Sequence, residues 1–203
     1  MGAFLYGPVH GFMIWNGFLA AVPAAIALAL FARTPRPTTP RRGVAWWIGL
    51  GAWVLFLPNA PYLLTDVVHM IHDIQTTHSD GWAYLIVAIY GLLFAFGLAS
   101  YALSLQLFRR YLHRTVRSIL VAPTILFLHA LCVVGIYLGR VLRLNSTDAL
   151  LAPQRVAESV IRIPRPTTVA VLAIMFVVVG VGTFAAAAVG DKVVAQARRA
   201  KLL

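Results

Sequence analysis

Acidic side chains are scarce in this chain, and cysteine is all but missing. Six Asp and Glu stand against 17 Lys and Arg in 203 residues, and charged residues of both signs make up only 11%. Soluble domains carry about 25% charged residues, so a fold bathed in water on all sides is excluded. The one cysteine, Cys132, lies inside an apolar run. That excludes an intramolecular disulfide and any cysteine-based zinc site. No HExxH or other closed zinc spacing occurs, and no internal repeat is visible. Residues 1–7 contain no Lys or Arg, and the run that follows is too long for the h-region of a cleaved signal peptide, so the start reads as a first span. The net charge of +11 lacks the interleaved basic and aromatic pattern of a nucleic-acid groove, so nucleic acid is not an expected partner.

What remains is apolar. Hydrophobic residues make up 61% of the chain and the mean hydropathy is +0.84. A membrane span needs roughly 20 apolar residues, and five runs qualify, near 6–32, 44–65, 82–108, 118–142 and 167–190. The expected fold is therefore an all-α, polytopic transmembrane helix bundle in a single domain, residues 1–203. Arg33, Arg36, Arg41 and Arg42 fill the first connection, and Arg109, Arg110, Arg114 and Arg117 the third. Residues 66–81 hold three Asp and three His but no Lys or Arg, and read as a polar outside loop. The positive-inside rule then places the N-terminus outside and the C-terminus in the cytoplasm. Arg143, Arg155, Arg162 and Arg165 break the rule, because alternation puts residues 143–166 outside. Val156, Val160 and Ile163 share one helical stripe, so an interfacial amphipathic helix before the last span is one explanation. Arginines holding an anionic ligand or headgroup are another, and a different span count a third. Gly91, Gly97, Gly180 and Gly182 could permit close helix contacts.

The second apolar run ends unusually. Pro58 and Pro61 remove two backbone donors and disfavour helix at Leu57 and Ala60, and Asn59 lies between them. A broken helix is expected there. Asp66 and His69 follow, and on a helix of ~100° per residue Asp66, His69 and Asp73 share about a 60° stripe. Two carboxylates and an imidazole on one face could hold a divalent metal. The same trio could be a solvated face with Asp66 as an N-cap, or a proton-handling His/Asp pair.

The fourth run closes with Tyr137, Arg140 and Arg143 on one face, then Asn145 and Asp148. Residues 118–140 span about 34 Å as a helix, which sets Arg140 at the level of Asn59 and Asp66. Either the arginines snorkel to the interface, or Arg140 or Arg143 pairs with Asp66 or Asp148 across two helix ends. His10 and His129 fall at different depths, which suits bis-histidine haem ligation poorly. An interhelical hydrogen bond is the expected role of His129.

Two blocks, Phe56-Leu-Pro-Asn-Ala-Pro-Tyr-Leu-Leu-Thr-Asp-Val-Val-His69 and Gly135-Ile-Tyr-Leu-Gly-Arg-Val-Leu-Arg-Leu-Asn-Ser-Thr-Asp148, resemble the signature blocks of the domain-of-unknown-function 1361 family, bacterial integral membrane proteins. The sequence departs at Thr147, where the family commonly has an aromatic residue. The resemblance implies a polytopic protein of the bacterial inner membrane and supplies no activity. From the residues, Asn59, Tyr62, Arg140, Arg143, Asn145 and Asp148 are expected to line an extracytoplasmic-side polar pocket for an anionic lipid headgroup or small polar ligand. Asp66 and His69 are the candidates for catalysis on a lipid-linked substrate, and Asp66, His69 and Asp73 for a metal. A small transporter or proton-coupled carrier is the alternative, as is an accessory subunit of a membrane complex. Membrane lipids are the expected partners, along with a second copy of the chain or a membrane-complex partner.

Overall fold

The computed structural model describes residues 8–32, 42–77, 79–141, 154, 158 and 166–200. Among them there is no strand, and five helical segments are long and apolar enough to cross a membrane. The elements are α1 (Pro8–Phe31), α2 (Val44–Phe56), α3 (Asn59–Tyr62), a 3-10 turn (Leu63–Asp66), α4 (Val67–Thr76), α5 (Asp80–Thr115), a second 3-10 turn (Ser118–Leu120), α6 (Val121–Val141) and α7 (Pro166–Ala200). The chain is an all-α, multi-pass membrane protein.

α5 is the hub. It packs on α1 and α7, and also on α3 and α4. Its 36 residues reach about 54 Å at a rise of ~1.5 Å each, against a hydrocarbon core of about 30 Å. The helix therefore runs past the end expected at Phe108 and carries Arg109, Arg110 and Arg114 on its last turns. Lipid tails are as apolar as leucine, so burying leucine drives nothing between helices in a membrane. Close approach and interhelical hydrogen bonds hold such bundles. Ser100 Oγ donates to the Ala20 carbonyl at 2.6 Å and ties α5 to α1. His129 sits between three helices: Tyr101 Oη lies 2.9 Å from Nδ1 and the Phe176 carbonyl 3.0 Å from Nε2. A carbonyl only accepts, so Nε2 carries the proton, Nδ1 accepts, and Tyr101 donates. The expected interhelical role of His129 is present, and both ring nitrogens are spent on it.

The α-helix is interrupted at the prolines, as expected, but not by unwinding. Leu57 stays right-handed helical at φ −54, ψ −41, and Pro58 at φ −61, ψ −23. The chain is not unwound. It changes hydrogen-bond pattern instead, from α through a turn to α3, then a 3-10 turn, then α4. Ala60 N–H donates to Leu57 at 3.3 Å, and Asn59 Nδ2 donates to the Phe56 carbonyl at 3.1 Å, serving backbone left short by the prolines. Packing explains why the local preference loses. A Cβ on Gly97 of α5 would collide with the Ala60 carbonyl, and a Cβ on Gly135 of α6 would come within 2.7 Å of Pro58 Cγ. The segment is gripped between two glycine notches that exclude a wider bend. The broken helix on which the transport reading rested is thus present as a change of hydrogen-bond pattern, with Leu57 and Pro58 keeping right-handed backbone.

Two further expectations are corrected. Residues 66–81 are mostly not loop: α4 prolongs the second helical path, and α5 already starts at Asp80. Of the glycines expected at contacts, Gly97, Gly180 and Gly182 touch neighbouring side chains or backbone, whereas Gly91 meets nothing within 4 Å. The expected interfacial helix around 156–163 lies outside the described residues.

Candidate functional site

Asp66 is the residue on which four elements converge. It is 3% exposed at the end of the 3-10 turn. Asn16 of α1 donates from Nδ2 to Asp66 Oδ2 at 3.4 Å. Arg140, one residue from the end of α6, donates from Nη1 to Asp66 Oδ1 at 3.4 Å and from Nη2 to the Thr65 carbonyl at 3.0 Å. The same Nη2 lies 3.2 Å from His69 Nδ1 on α4. The Arg140 guanidinium also stands 5.9 Å from the Tyr62 ring centroid. The expected pairing of Arg140 with Asp66 across the ends of the second and fourth spans is therefore present.

The cluster has an inner and an outer side. The Asp66 side chain is 4% exposed, that of Arg140 25% and that of His69 42%. Arg140 is only a donor, so His69 Nδ1 is the acceptor of that contact. The Arg140–Asp66 contact is a single 3.4 Å approach rather than a bidentate fork, so the guanidinium keeps donors for a further anion. A buried, unpaired carboxylate would cost several kcal/mol. Arg140 and Asn16 offset that cost, and Asp66 in turn fixes where Arg140 points. α4 is tied down separately by Tyr90 of α5, whose hydroxyl donates to Asp73 Oδ2 at 2.8 Å.

Beside the cluster lies an apolar cleft of about 130 Å³, walled by Leu64 and Thr65, by Ile136 of α6, and by Ile174, Val178 and Val179 of α7. Ile174 and Val178 are 64% and 54% exposed, so the cleft opens along the α7 side. Thr65 belongs to both places: it lines the cleft, and its carbonyl receives Arg140.

Several sequence expectations change here. Asp66 occupies the N-cap position of α4 but makes no side-chain cap bond, since its carboxylate turns inward to Asn16 and Arg140. Burial also removes it from any solvated face. Asp66, His69 and Asp73 do not assemble as ligands of one metal: Asp73 is engaged by Tyr90, and among the described residues no three His, Cys, Asp or Glu come together for an ion. Asn59 turns its amide N–H to backbone rather than into the cluster. Arg143, Asn145 and Asp148 lie outside the described residues. Sequence reasoning missed Asn16 and Tyr90. The signal for Asn16 was a lone amide in the first apolar run, and for Tyr90 only its place in α5.

The comparisons agree with this architecture. A family model described as protein of unknown function (DUF1361) matches residues 15–181, and the chain belongs to that family. No curated protein and no solved structure matches the chain.

Proposed function

We propose that this multi-pass membrane protein binds an anionic amphiphile, with the headgroup on Arg140 and an apolar chain in the cleft beside it. The observation that carries the reading is the shared Thr65, which brings a partly exposed guanidinium and an apolar cleft to one place. Ligand sites are mostly apolar with a few placed polar groups, and this site has that composition. An engineered cavity of about 150 Å³ holds one benzene, so the cleft takes a short segment of one chain. Arg140 supplies charge-assisted hydrogen bonds to the anion. Asp66 is the buried counter-charge that positions Arg140. His69 Nδ1 is occupied by Arg140, which counts against general-base work by that nitrogen. On the arginine distribution the site faces away from the cytoplasm, in the bacterial inner membrane that the sequence resemblance implies.

The test is photo-crosslinking with phosphatidic acid bearing a diazirine on one acyl chain, followed by mapping of the adducts. Adducts on Ile136, Ile174 or Val178 that disappear in Val178→Trp are the expected result. Adducts spread over the lipid-facing residues of α7 and indifferent to Val178→Trp contradict it.

A further inference from the structure

The opposite end of the bundle carries a second cationic site, unrelated to Arg140. Arg42, just ahead of α2, lies with its guanidinium 5.0 Å from the Trp46 ring centroid and 5.4 Å from that of Tyr111 on α5. The two rings are themselves 5.8 Å apart. An arginine held on aromatic faces keeps its planar edge free for an oxyanion, and it loses less side-chain freedom on binding than an exposed lysine does. Among the described residues no carboxylate pairs with Arg42. Trp46 also carries a buried indole N–H that finds no acceptor among the described residues. Exposed Arg109 and Arg110 immediately precede Tyr111 in sequence. Next to the cation, Val44, Trp47 and Ile48 are 77%, 59% and 67% exposed, and their spacing puts them together on one face of α2.

We infer that Arg42, Trp46 and Tyr111 form a binding site for the phosphate of an anionic phospholipid, whose acyl chains run along the exposed face of Val44, Trp47 and Ile48. The apolar face beside the cation argues for a lipid. A nucleic acid or an acidic soluble protein would meet three large apolar side chains where it needs polar ones. The site stands on rings and charges distinct from the Asp66 cluster, so it survives or fails independently of the amphiphile reading.

The experiment is native mass spectrometry of the full chain in mild detergent, titrated with phosphatidylglycerol or phosphatidylcholine. Wild type should retain phosphatidylglycerol in preference. Arg42→Gln should weaken it roughly tenfold, the size of one lost charge-assisted hydrogen bond. Arg42→Lys, which keeps the charge and loses the stacked fork, should recover only part of the affinity. Trp46→Phe, which keeps a ring and removes the indole N–H, should lower it as well. Arg117→Gln, at the same end but outside the site, should match wild type. Equal losses in Arg42→Gln and Arg117→Gln would reduce the effect to bulk charge and overturn the site. So would equal retention of the two lipids, or displacement of phosphatidylglycerol by a short RNA. Thermal unfolding of each variant guards against misfolding, and the Trp46→Phe and Arg42→Lys results stand even where Arg42→Gln does not fold.

Discussion

The two ends of this bundle are built by different means. At one end Phe31, Trp53, Phe108 and Tyr111 pack ring against ring, with centroids 4.8 to 6.4 Å apart. At the other, Asn16, Asp66, Arg140, Thr65 and His69 meet through directional polar contacts. Ring packing has many near-equivalent arrangements, and its energy is spread over many small contacts. A buried ion pair has few arrangements, and losing one partner leaves the other stranded. The aromatic end should therefore tolerate conservative change, while the polar end specifies which helices meet and at what level. Between them, the glycine notches at Gly97 and Gly135 hold the proline segment that delivers Asp66 to Arg140.

The comparison can be broken at its weakest joints, starting with the largest effect. Gly97→Leu forces side-chain atoms against the Ala60 carbonyl, a backbone group that cannot step aside. The expected result is a loss above about 4 kcal/mol, seen as the absence of monodisperse protein after detergent extraction. Gly91→Leu, with nothing within 4 Å, should extract normally. Trp53→Ala removes a fully buried ring that contacts Phe31 and Phe108. It should cost about 3 kcal/mol in thermal unfolding, whereas Phe108→Leu at the same end should stay under about 1.5 kcal/mol. If the two cost the same, the claim of tolerance at the aromatic end is wrong. Gly135→Ala presses a methyl onto the stiff Pro58 ring and should cost about 1–3 kcal/mol. It should also lower amphiphile crosslinking, because α6 must shift and take Arg140 with it. Smallest of all, Tyr90→Phe removes one hydrogen bond to Asp73, worth about 0.6 and at most about 1.7 kcal/mol in a membrane. Its signature is faster amide exchange confined to α4.

Sequence and structure part company in instructive places. The meeting of Arg140 and Asp66 was legible because a helix has a fixed rise: counting along residues 118–140 sets Arg140 at the level of Asp66 without any knowledge of side-chain contacts. The span count was legible from apolar run lengths for the same reason. The backbone at Leu57 and Ala60 was not. The rule that disfavours helix before proline is local, and here Gly97 and Gly135 on two other helices overrule it. Residues 66–81 looked like a loop because their composition is polar, yet α4 is helical against α5 and its Asp73 is satisfied by Tyr90. Asn16 stayed hidden because its partner lies 50 residues away, and one amide in an apolar run does not say what it faces. Arg42 was legible only as one of four loop arginines. That it stacks on Trp46 and Tyr111 depends on where α5 ends, which composition does not encode.

The central claim is that Asp66 and Arg140 act as one unit joining the proline segment to α6. The direct measurement is a double-mutant cycle in detergent, with Asp66→Leu, Arg140→Leu and the double variant followed by thermal unfolding, and Arg140→Lys as a geometric control. The account predicts a coupling energy of at least about 1 kcal/mol, the range of residues sharing one charge network. The double variant should be more stable than the sum of the single losses implies, and Arg140→Lys should restore only part of it. Strictly additive losses, with a coupling near zero, would contradict it: Arg140 would then be an arginine reaching for the interface, and Asp66 a carboxylate held by Asn16 alone.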